Sequence, residues 1–502
     1  MKVHLAGYNL DTEVLRELEE KAGKREDITP EVISAAYARI SRDPRPIEEI
    51  RRDARREVEK TRRSNSTIIF KMGHHSVAEH AVFNLDIVGV SRLAMEEVEK
   101  FRLCSYTEKS QRYITLKDEY VVPEEIKNTG LVKLFKQTVE LQNEAYERYF
   151  DRLKEYVFKK HESLARDEKN HSLLEGWAKE DARYITSLAT SSQVGQTINA
   201  RNLELLLRRF ASNPLAEVRE IGKAIYNEIS GVAPSIVLFH SANDRDLKTY
   251  PEIREISRHL SKSRKAPALS LAPVTLVEYT RDGDECIAAA LLHSTSDLPY
   301  AECRKIIKKL PQRELKRLFK ASWKNLQFYD SMLREFEYAG FTFNIVLSAA
   351  CFGQLKRHRM STITVQGYDP GLSVTIPQSI TACSLEEDFL QVIRQTEQTY
   401  QKLLKEMPLA APYVLTNSHR RRALVGLNVR ELYHISRLRQ DAHAQWDIRN
   451  VSRAMTEEAK KVMPMALELA GGKDEYSELY ARVFGAPPAV TQAVLPQARK
   501  IR

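Results

Sequence analysis

Residues 79–113 read EHAVFNLDIVGVSRLAMEEVEKFRLCSYTEKSQRY, and residues 337–371 read EYAGFTFNIVLSAACFGQLKRHRMSTITVQGYDPG. Each stretch opens on a Glu followed by a ring-bearing residue and runs through a Phe-containing segment that is apolar at alternate positions. Each then continues into a helical segment that ends in a triplet with basic residues at both ends. The alternation in HAVFNLDIVGV and FTFNIVLSA predicts two strands. Lys100-Phe101-Arg102 answers Arg357-His358-Arg359, and Glu79 answers Glu337. Further along, Asn199-Ala200-Arg201 answers Asn428-Val429-Arg430, and each opens an amphipathic helix; near the starts, VHLAGY (3–8) resembles VTLVEY (274–279). The spacing between corresponding segments shrinks along the chain, which places insertions in the first copy, mostly around 155–180. This self-similarity reads as a tandem duplication.

Working outward, the first copy covers 1–240 and ends at IVLFH (236–240). Residues 241–272 form a polar, basic linker closing towards Pro267 and Pro273, in which Ile253, Ile256 and Leu260 have helical spacing. The second copy covers 273–502. Long amphipathic helices are expected over 130–160, 201–230, 383–407 and 430–470. The fold class is therefore α+β (a mixed α/β type), each copy a β-sheet flanked by long helices. The 502 residues carry 78 Lys and Arg against 68 Asp and Glu, a net charge of +10. That surplus suits an anionic ligand but is thin for a dedicated nucleic-acid binder. The five cysteines show no CxxC spacing, which excludes a zinc ribbon and a disulfide framework. The N-terminus lacks an apolar core segment, and no stretch approaches the ~18 apolar residues of a membrane span. A reduced, cytoplasmic protein is expected.

Basic residues carry most of the candidate chemistry. Arg357-His358-Arg359 follows Gln354 and offers consecutive donors suited to a phosphate or an electron-rich ring. On the helix from Asn428, Arg430, His434 and Arg437 share one face, while Arg439 lies on another. Asp441 and Asp447 are too few to neutralise these arginines, and concentrated positive charge of this kind favours an anionic ligand. In the first copy GHHSVAEH (73–80) brings three imidazoles and a carboxylate close together. It is not an HExxH pattern and has no Cys partner, so a capping box from Ser76 to Glu79 is the plainer reading and no metal is assigned. That reading leaves His74 to face a ligand. The loop CSYTEKSQRYI (104–114) places Glu108, Ser110 and Arg112 in one polar run able to cradle a phosphate. Ser110 has no local base, and no cysteine sits in an activating context.

Together these strings resemble the flavin-dependent thymidylate synthases, whose signature joins a Gly-His…Glu-His element, an RHR triplet, a downstream SxRY loop, an Asn-x-Arg helix and a HAQW-type ending. The first copy keeps Gly73-His74, Glu79-His80 and Ser110, Arg112 and Tyr113, but its triplet has become Lys100-Phe101-Arg102, Glu97 replaces the Gln, Gln193 stands where a substrate-binding Arg belongs, and Phe210 takes the later helix Arg. The second copy is the mirror case. It keeps Gln354, Arg357-His358-Arg359, Arg422, Asn428, Arg430, His434, Arg439 and Ala442-His443-Ala444-Gln445-Trp446, but has Ser331-Met332, Gly367 and Asp369-Pro370 in place of Gly-His, Ser and Arg-Tyr. The family's members are homotetramers with active sites between subunits. The resemblance therefore implies a homodimer of fused pairs, a pseudo-tetramer with composite sites. It implies reductive methylation of dUMP to dTMP with FAD as cofactor and NADPH and methylenetetrahydrofolate as co-substrates, without a Cys nucleophile. Carried over by position, His74, Arg357, His358, Arg359, Asn428, Arg430 and His434 would hold flavin. Gln354, Arg422, Arg439, Glu108, Ser110 and Arg112 would hold the nucleotide, and Arg439 would also be catalytic, polarising the pyrimidine. The alternatives are a flavoenzyme acting on a different pyrimidine nucleotide, a non-catalytic flavin- or nucleotide-binding protein, and a basic binder of nucleic acid using Arg420–Arg422.

Overall fold

The computed structural model describes residues 1–11, 13–14, 17, 30–32, 47–56, 75–112, 119–262 and 272–489. The chain forms two compact units, Met1–Ala268 with Ile376–Ser418, and Leu269–Thr375 with His419–Arg502.

The sheet of the first unit is built from β1 (Lys2–Tyr8), β2 (Val82–Ser91), β3 (Cys104–Glu108) and β4 (Ser191–Asn199). Its order is β1-β2-β4-β3, with every pairing antiparallel. β2 alternates as its sequence does: Phe83, Leu85 and Ile87 are buried while Asn84, Asp86 and Val88 face out. Ser91 ends the strand and starts the next helix, its Oγ accepting from the Ala94 amide at 3.0 Å. Asn199 does the same for the helix Ala200–Ala211. The 30-residue helix Leu131–Lys160 packs on the helix Glu386–Glu406 of the same unit. Their contact includes a hydrogen bond between the Thr138 and Thr399 hydroxyls (2.8 Å) and stacking of Tyr149 on Phe389.

The second unit repeats the plan. Strands β5 (Val274–Tyr279), β6 (Gly340–Ser348), β7 (Thr362–Val365) and β8 (Arg420–Asn428) are ordered β5-β6-β8-β7, again antiparallel throughout. Ser348 caps the helix Ala349–Leu355 and Asn428 caps Val429–Arg439, so both cap positions of the first unit recur. Gly340 is dictated by its partner strand: a Cβ there would stand 2.8 Å from the Leu427 carbonyl oxygen.

Four expectations are corrected. The segment 201–230 is two helices, Ala200–Ala211 and Ala216–Ser230, because Pro214 ends the first. The segment 430–470 is also two, Val429–Arg439 and Trp446–Val462, with Gln445 capping the second through the Asp447 and Ile448 amides. Residues His75–His80 form a short 3-10 helix that already contains Ser76, and Glu79 pairs with Arg201 in place of closing a capping box. Two strands were expected, and the described residues hold eight. The linker does carry a helix, Asp244–Ser261, with a capping box between Asn243 and Asp246. Asp246 also receives Arg208 (2.9 Å) and Arg209 (3.1 Å). Among the described residues no helix is long and apolar enough to cross a membrane.

Candidate active site

In the second unit the Asn428 cap sets the phase of its helix: the Asn428 side-chain oxygen accepts from the Glu431 amide at 2.8 Å. Arg430, His434 and Arg437 then fall on one face, and all three line a pocket of about 480 Å³. Phe328, Tyr329, Met360 and Leu438 supply an apolar wall, and Lys473 adds a further cation. Arg430 is held by the Met332 carbonyl (2.7 Å) and by the Glu337 carboxylate (2.6 Å). Arg437 donates to the Asp330 carbonyl and lies 5.3 Å from the Tyr476 ring centre, while its Nε and Nη2 are buried with no hydrogen-bond partner among the described residues. Burial lowers the Arg437 pKa. Tyr433, Tyr476 and Asp330 oppose that shift, the guanidinium keeps its proton, and its two unpaired buried N–H groups stay open to an acceptor.

The basic triplet follows the helix Ala349–Leu355 and splits by burial. Arg357 and Arg359 are exposed, whereas His358 is 2% exposed. Arg439 donates from Nε to His358 Nε2 at 2.8 Å and from Nη2 to the Gln354 carbonyl at 3.2 Å. The other His358 nitrogen stands 3.6 Å from Glu431, and the His434 ring meets the His358 ring edge-on with centres 5.6 Å apart. Burial first, then the charges of Arg439 and His434, hold the His358 pKa well below its ordinary value. Gln354 is itself buried and reaches Gln445 at 3.4 Å.

The first unit presents a different constellation. Ser110 Oγ accepts from the Arg112 amide, and Arg112 pairs with Glu180 at 3.2 Å. Arg183 is buried beside them, and Asn417 reaches Gln111, the Arg183 carbonyl and Thr186. Glu108 pairs with Arg92 at 3.4 Å, both side chains nearly inaccessible, and accepts from Ser192. Buried groups there have no hydrogen-bond partner among the described residues: Arg183 Nη2, Gln111 Nε2, Glu180 Oε1 and Asn417 Oδ1. Burial raises the Glu180 carboxyl, opposed by Arg112 and Arg183, and lowers the Arg183 guanidinium. The arginines stand here with Glu108, Glu180 and Asp181, and the buried Arg183 Nη2 and Gln111 Nε2 remain donors open to an acceptor in a low-dielectric interior.

The structure therefore brings Arg430 and His434 to one pocket. Arg439, His358 and Gln354 meet in a neighbouring buried knot, and Ser110 and Arg112 join a cluster in the other unit. Arg422 lies on β8 with Asp369 3.9 Å away. Asn428 caps its helix through the side-chain oxygen, and Glu108 pairs with Arg92 and accepts from Ser192. His74 lies outside the described residues. Sequence reasoning missed Arg92, Glu180, Arg183, Gln111 and Asn417, which come together only through the sheet and the 376–418 segment. It also missed the wall formed by Phe328 and Tyr329. Only Ser331-Met332, read as a replacement for Gly-His, pointed near that wall.

Comparison with known proteins gives this geometry a context. The family model described as thymidylate synthase complementing protein matches in two segments, residues 26–235 and 275–465. A Chlamydia muridarum protein described as UPF0159 is 26% identical over 416 residues, covering 79% of this chain and 78% of that one. A flavin-dependent thymidylate synthase of Clostridium tetani is 30% identical over 212 residues, covering 41% of this chain and 80% of that enzyme. The crystal structure of flavin-dependent thymidylate synthase ThyX from Helicobacter pylori, complexed with FAD and dUMP, aligns over 48% of this chain and 100% of that one at 17% identity, with a TM-score of 0.31.

Proposed function

The chain belongs to the thymidylate synthase complementing protein family, and on that premise we propose that it is a flavin-dependent thymidylate synthase. It converts dUMP to dTMP with FAD, methylenetetrahydrofolate and NADPH, in composite sites to which the two copies of a duplicated chain contribute different halves. The observation that supports this reading is the division of the polar constellations. One unit holds a buried arginine–carboxylate cluster with unmet donors, and the other holds a basic pocket with an aromatic wall.

The residues present fit both groups. Arg430 and Lys473, the latter paired with Asp441 at 3.1 Å, offer cationic partners for a pyrophosphate, His434 offers a ring nitrogen, and Phe328, Tyr329 and Met360 offer faces for a planar ring. The exposed guanidinia of Arg357 and Arg359 add to the same electrostatic field. Bound flavin would supply the reducing equivalents of the reaction. Arg112 and Arg183 would hold the nucleotide phosphate by charge-assisted hydrogen bonds, with Ser110 ordering the loop. Arg439 would lie beside a pyrimidine carbonyl and stabilise charge developing on its oxygen. His74 completes the proposed flavin-binding set, with Gln354 and Arg422 on the nucleotide side. A homodimer of fused pairs would assemble two such sites.

The test is release of tritium from dUMP labelled at C5, assayed with FAD, NADPH and methylenetetrahydrofolate. Release that requires all three supports the assignment. Flavin binding without release contradicts it and favours a different pyrimidine nucleotide, a reading to which Gly367 and Asp369 in the SxRY positions lend weight.

A further inference from the structure

We propose that His358 is a positioning residue for Arg439, acting as a neutral hydrogen-bond acceptor rather than as a flavin ligand; this rests on the reading of Arg439 as the pyrimidine-polarising group. The geometry assigns the proton. Arg439 Nε carries a hydrogen and has no lone pair to accept with, so His358 Nε2, 2.8 Å away, must be the acceptor. The ring hydrogen then sits on Nδ1, on the side of Glu431 at 3.6 Å. A protonated imidazole would set two N–H groups against each other across the Arg439 contact. The groups facing the ring are Arg439, His434 and Glu431. Burial first, then Arg439 and His434, disfavour a charged His358, in keeping with its lowered pKa. With its side chain 1% exposed, His358 presents almost no surface to a bound ligand. Arg439 is fixed at a second point by the Gln354 carbonyl, so two acceptors set the plane of the guanidinium.

The other copy supplies an independent observation. The counterparts of His358 and Arg439 are Phe101 and Phe210, and these also touch, ring centres 6.0 Å apart at 68°. A hydrogen-bonded pair in one copy is an edge-to-face aromatic pair in the other. Both members are replaced together, as expected of side chains whose main role is to hold each other.

Two readouts test this. Nitrogen-15 NMR of histidine-labelled protein should show one histidine, absent in His358→Gln, that stays neutral with its proton on Nδ1 as pH falls well below 6.5. An Nε2–H tautomer, or ordinary titration, would overturn the proposal whether or not the protein is a synthase. In the tritium assay His358→Phe should lower kcat about 10²-fold with flavin content unchanged, and His358→Gln, which keeps an acceptor, should recover most of that loss. Adding His358→Phe to Arg439→Ala should cause little further loss. Additive losses, or flavin lost from His358→Gln, would overturn it. A wild type that releases no tritium, with the NMR signature intact, would sink the synthase reading and leave the pairing standing.

Discussion

At the scale of single residues, burial separates groups that the sequence presents as equals. Arg357, His358 and Arg359 are consecutive, yet only the middle one turns inward, and nothing in the triplet announces that direction. A buried histidine held neutral leaves a thermodynamic trace. Its folded pKa lies below the ordinary 6.5, so its contribution is constant above that pH, and stability is lost as pH falls below it, where only the unfolded chain takes up the proton. Relative to His358→Gln, the wild type should lose stability on acidification below 6.5 with a slope approaching about 1.4 kcal/mol per pH unit. Urea unfolding of both proteins across that range checks it, and parallel profiles would contradict it. Glu108 makes a second case. Its carboxylate pairs with a buried Arg92, so Glu108→Ala, which removes one partner of a buried ion pair, should destabilise the first unit by about 3–5 kcal/mol, measured by chemical denaturation with no ligand present. Arg112→Ala acts instead on the proposed ligand. Losing a charged hydrogen bond of about 1.5–3 kcal/mol should raise the KM for dUMP by roughly ten- to a hundredfold with flavin content unchanged. Arg112 was legible from its loop. Arg183 was not, because only the folded sheet and Asn417 bring it there.

At the scale of elements, the repeated caps explain why so much of the fold was readable. Ser91 and Ser348 start one pair of helices, and Asn199 and Asn428 start another. Each is a local hydrogen bond that sequence spacing reveals. Asn428→Ala should therefore cost about 1 kcal/mol of stability without ligand, seen as a lowered urea midpoint; an unchanged midpoint would argue that its amide serves a ligand instead of the cap. Gly340→Ala should cost about 1–3 kcal/mol by forcing β6 away from the Leu427 carbonyl. The helix breaks were missed for physical reasons. Pro214 and Gln445 interrupt hydrophobic patterns that continue on either side, and amphipathic periodicity cannot register a break whose flanks stay in phase. The weaker strands were missed because β3 and β7 are short and half-exposed, so their alternation is too brief to read.

At the scale of the whole molecule, the duplicated plan shows in the two sheets of identical order and in the two segments matched by one family model. The repeat read from sequence and the compact units differ over 376–418, which follows β7 in the chain yet belongs to the first unit. Its helix Glu386–Glu406 meets Leu131–Lys160 through pairs such as Thr138 with Thr399 and Gln142 with Thr396, and helical periodicity shows an apolar face without naming what covers it. On the proposed reading the two copies contribute different halves of one kind of site, with the flavin pocket built round Arg430 and His434 and the His358–Arg439 pair of the second copy replaced in the first by Phe101 and Phe210. Counting flavin per chain by absorbance, during titration of the apoprotein with FAD, tests this most directly. A single tight flavin for each chain is expected, lost in Arg430→Ala and kept in Arg112→Ala; two flavins of equal affinity per chain would contradict a division of labour between the copies.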